Sequence, residues 1–199
     1  LGAALATPDS DVTVRGVNVG RTQSGAIEAL GDAGCHLMLD ARAEHLGQAT
    51  ANVRIAGHLP TREFALIDER AQRSSAPLPC LAAIASSCPQ GHNSLLSPPG
   101  HTGAQTNKLI ETLAAFGVHS QSSQDGLLVE GLGASPLRAC VVDAAGDPDI
   151  AMMASALGLR ATGPCQVLHA DCISTRYPRF VATFRALGAR IEVHEAPSP

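Results

Sequence analysis

The residues most capable of chemistry fall into a few short stretches. Asp68 and Glu69 close the apolar run Phe64–Ile67, and a carboxylate there can move a proton or simply be solvated. Arg176 and Arg21 are fixed cations able to hold a phosphate or carboxylate, and His101 joins them when protonated. Each has a plain structural role open to it as well. Arg21 can bind backbone carbonyls at its own turn, Arg176 can rest on the surface beside Tyr177, and His101 can stand exposed in a Gly/Pro-rich loop. His169, Asp171 and Cys172 have the residue types of a metal site or an activated thiol. Strand alternation would send His169 and Asp171 to one face, but no further ligand stands near them. The eight His contain no HxxxH pair and the six Cys no CxxC pair, which argues against a metal centre. No nucleophile elbow accompanies any Ser.

The wider composition limits what can position these groups. With 199 residues, 45% of them hydrophobic, the chain suits one globular domain, residues 1–199, with an ample core. Aromatic residues are only 3%, so that core is built from Ala, Leu, Val and Ile, which favours layered α/β packing. A formal charge of −4 and a single Lys leave no basic stripe, which argues against nucleic acid as a partner. No apolar run approaches the roughly 20 residues of a membrane span. No signal sequence opens the chain, so the expected location is cytoplasmic, with no membrane partner. The cysteines then read as small buried hydrophobes of a reducing compartment, with disulfide or metal roles as the alternatives.

The chain repeats itself. Ala26–Leu39, Leu109–Ser122 and Phe180–Val193 share an apolar helix face, then a glycine (Gly34, Gly117, Gly188), then a short strand. Leu1–Val19, Leu81–Pro99 and Ala154–Cys172 each run from apolar helix through a turn into a strand. The period is too long for a solenoid of short repeats. The expectation is three α/β units, about 1–55, 56–130 and 131–199, closed around a common axis with helices inside and sheets outside. Leu1 then falls within the first unit's first helix, so the reading is of a chain entered partway through unit one.

In chain order, Leu1–Ala6 reads as the end of that helix, turning at Thr7–Asp9. Val12–Val19 reads as a strand interrupted at Gly16. A polar loop, Arg21–Gly25, enters a helix ending near Gly34. Cys35–Leu39 and Val53–Ile55 read as strands joined by a connection, Asp40–Ala51. Arg70–Pro79 has no periodic apolar face and reads as an exposed, inserted loop. Leu81–Ser86 is helix, Leu95–Leu96 a stunted strand, His101–Gln105 a loop and Lys108–Phe116 a helix. Leu127–Val129 and Ala139–Val142 are strands. Asp147-Pro148 opens a helix, Ile150–Leu159, with no solvated face. Gln166–His169 is a strand, Pro178 opens an amphipathic helix through Phe180, Phe184 and Leu187, and Arg190–Val193 resumes as a strand.

Three stretches carry a family resemblance: GDPDIAMMASALGL…GPCQVLHADCISTRYPRFVATFRALGA, VTVRGVNVGRTQSGAIEALGDAGCHL and LIDE. In this order they resemble the enolpyruvyl transferase family, its EPSP synthase members most of all, and within those the C-terminal domain. The resemblance covers nearly the whole chain. It implies an inside-out α/β barrel of three βαβαββ units with buried helices, the first unit truncated, and a missing N-terminal domain. It also implies the reaction. Phosphoenolpyruvate and a phosphorylated cyclitol such as shikimate 3-phosphate meet between two domains; an acid protonates the enol carbon, the substrate hydroxyl attacks, and phosphate leaves. No metal or other cofactor is required.

Carried over by motif, the acid/base role falls on Asp68 of LIDE. The family's Lys-Glu-Ser/Thr-Asp-Arg motif is matched by His101-Thr102-Gly103-Ala104-Gln105, without its lysine or arginine. Its Asp-His-Arg motif is Asp147-Pro148-Asp149, which puts a carboxylate where an arginine is expected and repels an incoming phosphate. The lysine expected after CxA is Thr175, with Arg176 one place on. Arg176, His101 and Arg21 are thus the candidate phosphate or substrate ligands. The alternative is a catalytically degenerate pseudoenzyme domain that keeps the fold as a scaffold or partner-binding module. A relative using the same repeats on RNA ends is a weaker option, opposed by the lack of basic surface.

Overall fold

In the computed structural model, residues 10–45, 47–56, 58–98 and 100–194 are described. The helix end expected at Leu1–Ala6 and the turn after it lie outside the described residues. The elements begin with β1 (Asp11–Asn18), α1 (Gly25–Asp32), β2 (Leu37–His45), β3 (Gln48–Ala56), β4 (Ala65–Leu66), α2 (Asp68–Gln72), α3 (Leu78–Ser86) and β5 (His92–Leu96). They continue with α4 (Gly103–Ala115), β6 (Ser120–Ser122), β7 (Gly126–Glu130), β8 (Val141–Asp143), α5 (Pro148–Gly158) and β9 (Gln166–Leu168). A 3-10 turn (Ala170–Cys172), α6 (Ile173–Arg176) and α7 (Phe180–Ala186) follow. The architecture is mixed α/β. Among the described residues no helix is long and apolar enough to cross a membrane.

Strands group into sheets ordered β1-β3-β2, β4-β5-β7-β6 and β8-β9. The first is antiparallel throughout; the second is antiparallel except for the parallel pair β4-β5; the third is a parallel pair. The orders β1-β3-β2 and β5-β7-β6 are the same arrangement of first, third and second strand. The two parallel pairs also match, since each is bridged by an apolar helix, α3 in one case and α5 in the other.

These two helices pack directly on each other. Of α3's nine residues only Cys80 and Ala83 are not fully buried, and α5 carries no fully exposed residue. Ala82, Ala85, Ala151 and Ala154 are all inaccessible, and side chains this small let the helices approach closely. By contrast α4 is amphipathic, burying Leu109 and Leu113 and exposing Glu111.

One polar side chain ties this interior together. Asn93, in β5, is fully buried and accepts the Phe64 amide at 2.6 Å. Its own amide group donates to the carbonyls of Ala85 (3.2 Å) and Val129 (3.1 Å). It thereby joins the entry to β4, the end of α3 and the middle of β7.

The segment Arg70–Pro79 is ordered differently from the exposed loop that its sequence suggests. Its first residues complete α2, and Leu78 and Pro79 are buried in the first turn of α3. Arg70 pairs with Asp32, and Arg73 forks onto Glu28 with two contacts of 2.8 Å. Ser24 Oγ donates to the same Glu28 carboxylate at 2.6 Å. Arg73 and Ser24, in that order, hold the Glu28 carboxyl down at about 2. The Gly25 amide donates to the Arg73 carbonyl at 2.9 Å. A Cβ on Gly25 would lie 2.0 Å from the Arg70 carbonyl oxygen, so only glycine fits here. Charge pairing thus replaced apolar periodicity as the ordering force.

Four other expectations are corrected. The connection Asp40–Ala51 is largely strand, because β2 and β3 form a long hairpin with a bulge between Asp40 and Ala43. Gly103–Gln105 is the first turn of α4, since Thr102 and Gln105 form a capping box. His169 leaves the strand in a left-handed conformation (φ 52°) and Asp171 lies in the 3-10 turn, so strand alternation does not relate them. Arg190–Val193 forms no strand; the chain folds back on α7, with Arg185 Nε donating to the Ile191 carbonyl at 2.8 Å. Elsewhere Gly34 (φ 81°) ends the turn after α1, and Asp147 caps α5 as its sequence predicts.

Two outcomes follow from these contacts. Asn93→Ala leaves the Phe64 amide without its acceptor and takes a donor from the Ala85 and Val129 carbonyls, and should cost about 3 kcal/mol in urea unfolding, whereas Ser94→Ala should change less than about 1 kcal/mol. Because Glu28's carboxyl is depressed in the folded state, its contribution is present above its ordinary value near 4.5 and is lost as pH falls towards about 2. Glu28→Gln should therefore flatten the loss of Tm across that window. The difference should shrink in high salt because the pair is partly exposed.

Candidate functional site

A cleft of about 250 Å³ gathers the starts of three helices. Pro77, Leu78 and Pro79 stand at the start of α3; His101 lies just before α4 and Gln105 in its first turn; Asp147, Asp149 and Ile150 stand at the start of α5. Ser74, Ser75, Ala76, Pro98 and Arg176 complete the wall. A helix N-terminus carries about half a positive charge. Three of them opening on one space make a field suited to an anion.

The three helix starts differ in how far their own side chains have used that field. At α5, Asp147 accepts from the amides of Asp149 (2.8 Å) and Ile150 (3.1 Å). At α4, Thr102 Oγ1 accepts from the Gln105 amide at 3.3 Å. At α3 no side chain caps the helix, and its opening Pro77-Leu78-Pro79 is rigid instead.

The side chains oppose the backbone field. Two carboxylates, Asp147 and Asp149, face one guanidinium, Arg176. Arg176 Nη2 donates to Asp149 Oδ2 at 2.9 Å. Arg176 is 56% exposed and Asp149 only 19%, so the carboxylate is set in the wall and the arginine reaches to it from α6. Asp149 Oδ1 and His101 Nε2 are both buried without a hydrogen-bond partner among the described residues. Burial lowers the pKa of His101 below its ordinary value, against the pull of Asp147, so the imidazole is neutral at pH 7.

Of the candidates expected from sequence, His101 and Arg176 therefore share this cleft. Asp68 and Arg21 do not line it. Asp68 is exposed at the start of α2 with φ 53°, a strained setting for a non-glycine residue. Arg21 is exposed, and it is its carbonyl, accepting from Arg73 Nη1 at 3.3 Å, that engages the turn. Ser74, Ser75 and Gln105 were not singled out by sequence. The Pro-Leu-Pro helix start and the Thr-x-x-Gln capping pattern are the signals that place them.

The third group dissolves as a centre. His169 Nδ1 lies 2.7 Å from Asp143 Oδ1, which raises the His169 pKa and lowers that of Asp143. Cys172 Sγ donates to the His169 carbonyl at 3.3 Å, and burial, then Asp171, push its thiol up, which is the reverse of activation. Among the described residues no group of three or more His, Cys, Asp or Glu could hold a metal ion.

With the geometry in place, known proteins supply the family. The sequence model of EPSP synthase (3-phosphoshikimate 1-carboxyvinyltransferase) matches residues 1–184. The chain is 30% identical over 184 residues to a 3-phosphoshikimate 1-carboxyvinyltransferase of Geobacter sp. strain M21, covering 91% of this chain and 42% of that protein. It is 34% identical over 184 residues to that of Pelotomaculum thermopropionicum, with 90% and 42% covered. The fold is similar to that of EPSP synthase from Acinetobacter baumannii, with TM-score 0.87 at 24% identity, over 98% of this chain and 45% of that one. It is also similar to the enolpyruvyl transferase NikO from Streptomyces tendae, with TM-score 0.60 at 20% identity, over 98% and 43%. The chain thus spans less than half the length of these relatives. Sequence and fold agree: the chain belongs to the EPSP synthase family.

Proposed function

We propose that this chain forms the C-terminal half of a cytoplasmic enolpyruvyl transferase. With a second domain, it would transfer the enolpyruvyl group of phosphoenolpyruvate to a phosphorylated hydroxyl substrate of the shikimate 3-phosphate kind. The observation that carries this reading is the convergence of three helix N-termini with His101 and Arg176 on one cleft. In this reading α3's uncapped start and Arg176 hold a phosphate, and His101 contributes a hydrogen bond. Asp68, projecting from the start of α2, protonates the enol carbon once the second domain closes on it; the hydroxyl then attacks, and phosphate leaves. Arg21 would meet the substrate only across that domain boundary. We also read residues 1–199 as one domain of three units, about 1–55, 56–130 and 131–199, forming an inside-out barrel. The matching strand orders and the paired interior helices α3 and α5 support that reading.

A second reading rests on one contact. Arg176 is bound to Asp149, so the cleft's cation is spoken for and a carboxylate faces any incoming phosphate. On this account the domain has lost transfer activity and keeps its fold as a scaffold.

Calorimetry on the full-length protein separates the two. Ternary binding of phosphoenolpyruvate and shikimate 3-phosphate at submillimolar affinity, lost in Arg176→Ala, is the expected result for a transferase; no heat with either ligand leaves the scaffold reading. Asp149→Asn releases Arg176 and removes a repelling charge, so phosphoenolpyruvate affinity should rise by roughly tenfold, equivalent to about 1.4 kcal/mol. Unchanged affinity would mean that the cleft does not hold the phosphate.

A further inference from the structure

The third sheet places two cysteines side by side. In the parallel pair β8-β9, Val141 stands opposite Gln166, and the Gln166 amide donates to the Cys140 carbonyl at 3.1 Å. One residue before each strand begins, Cys140 therefore neighbours Cys165. Paired positions of a parallel ladder project to the same face, and adjacent strands run about 4.8 Å apart. That spacing lies inside the usual Cα separation of a disulfide, about 4.4–6.8 Å. Both residues are free thiols and only half-buried, so a small oxidant can reach them, unlike the buried Cys35 and Cys88. The hydrogen bond that Cys165 Sγ donates, to the Gly163 carbonyl at 3.8 Å, is weak and does little to fix its rotamer.

We propose that Cys140 and Cys165 form a reversible disulfide, a redox-modification site separate from the phosphate-facing cleft. Burial, and then the adjacent Cys165, push the Cys140 thiol up to about 11, which makes Cys140 a poor first nucleophile. With glutathione disulfide as oxidant, the Cys165 thiolate attacks one glutathione sulfur and releases one glutathione. The Cys140 thiol then loses its proton and attacks Cys165 Sγ of the mixed disulfide, releasing the second glutathione. Two protein thiols are oxidised and one glutathione disulfide is reduced to two thiols. The bond closes a loop of the 24 intervening residues, which contains β8, α5 and the cleft residues Asp147 and Asp149. Oxidation thus staples the start of β8 to the start of β9, closing the base of the segment that carries Asp147 and Asp149. The assignment stands whether or not the cleft binds a phosphate.

The test is equilibration of the intact chain in glutathione buffers of graded potential, followed by alkylation, digestion and mass spectrometry. A peptide pair linked through Cys140 and Cys165 is expected under oxidising conditions. It should be reversed by reductant and be absent in both Cys140→Ser and Cys165→Ser. The Tm should rise on oxidation by roughly 5–10 °C in the original chain and stay unchanged in either serine variant. Absence of the linked pair, its formation between other cysteines, or a fall in Tm on bridging would overturn the assignment.

Discussion

The lateral packing of α3 on α5 is the constraint from which the rest of this structure follows. Both helices are apolar nearly all round, so neither can face water, and each is the crossover of a parallel strand pair. Their alanines permit close approach, and the sheets and amphipathic helices are left to cover them. Because their N-termini open on the same cleft, the packing that buries apolar surface also assembles a backbone field outside it. Core and site are therefore one arrangement seen from two ends.

That arrangement contains a conflict between backbone and side chains. The helix dipoles favour an anion, yet α5 carries its own anion in Asp149, which lies over the helix end and draws in Arg176. An internal ion pair of this kind satisfies the helix terminus without a ligand. The neutral state that burial imposes on His101 removes a second cation at neutral pH. The fold is similar to that of EPSP synthase while the side-chain charges of this cleft oppose its backbone field, and those two properties are physically separable: packing depends on volume and apolar area, ligand affinity on a few charges.

Much of the fold was legible because apolar periodicity is a local signal. The Asp-Pro opening of α5, the helix faces through Leu109 and Leu113, and the glycines after α1 and α7 could all be read in place. What escaped was set by distant partners. Arg70 and Arg73 carry no periodic pattern, and only Asp32 and Glu28, about forty residues earlier, explain why that stretch is ordered. Arg190–Val193 has strand-like residues but no partner strand, so the chain bonds back to α7. In the cleft, His101 and Arg176 were accessible through family motifs. The Arg176–Asp149 contact was not, because it joins residues 27 apart that no local pattern relates.

The backbone contact between Gly25 and the Arg70–Arg73 turn constrains the length of the chain around it. With one carbonyl 2.0 Å from where a methyl would sit and another accepting the Gly25 amide, the spacing from Asp68 to Arg73 is held in register with the start of α1. Ser74 to Ala76, just beyond, are held by short-range hydrogen bonds, the Ser74 amide to the Ala71 carbonyl and the Ala76 amide to Ser74 Oγ, and line the cleft. A change of chain length between Ser74 and Pro77 would therefore reshape the mouth of the cleft, while one between Asp68 and Arg73 would break the fit against the start of α1.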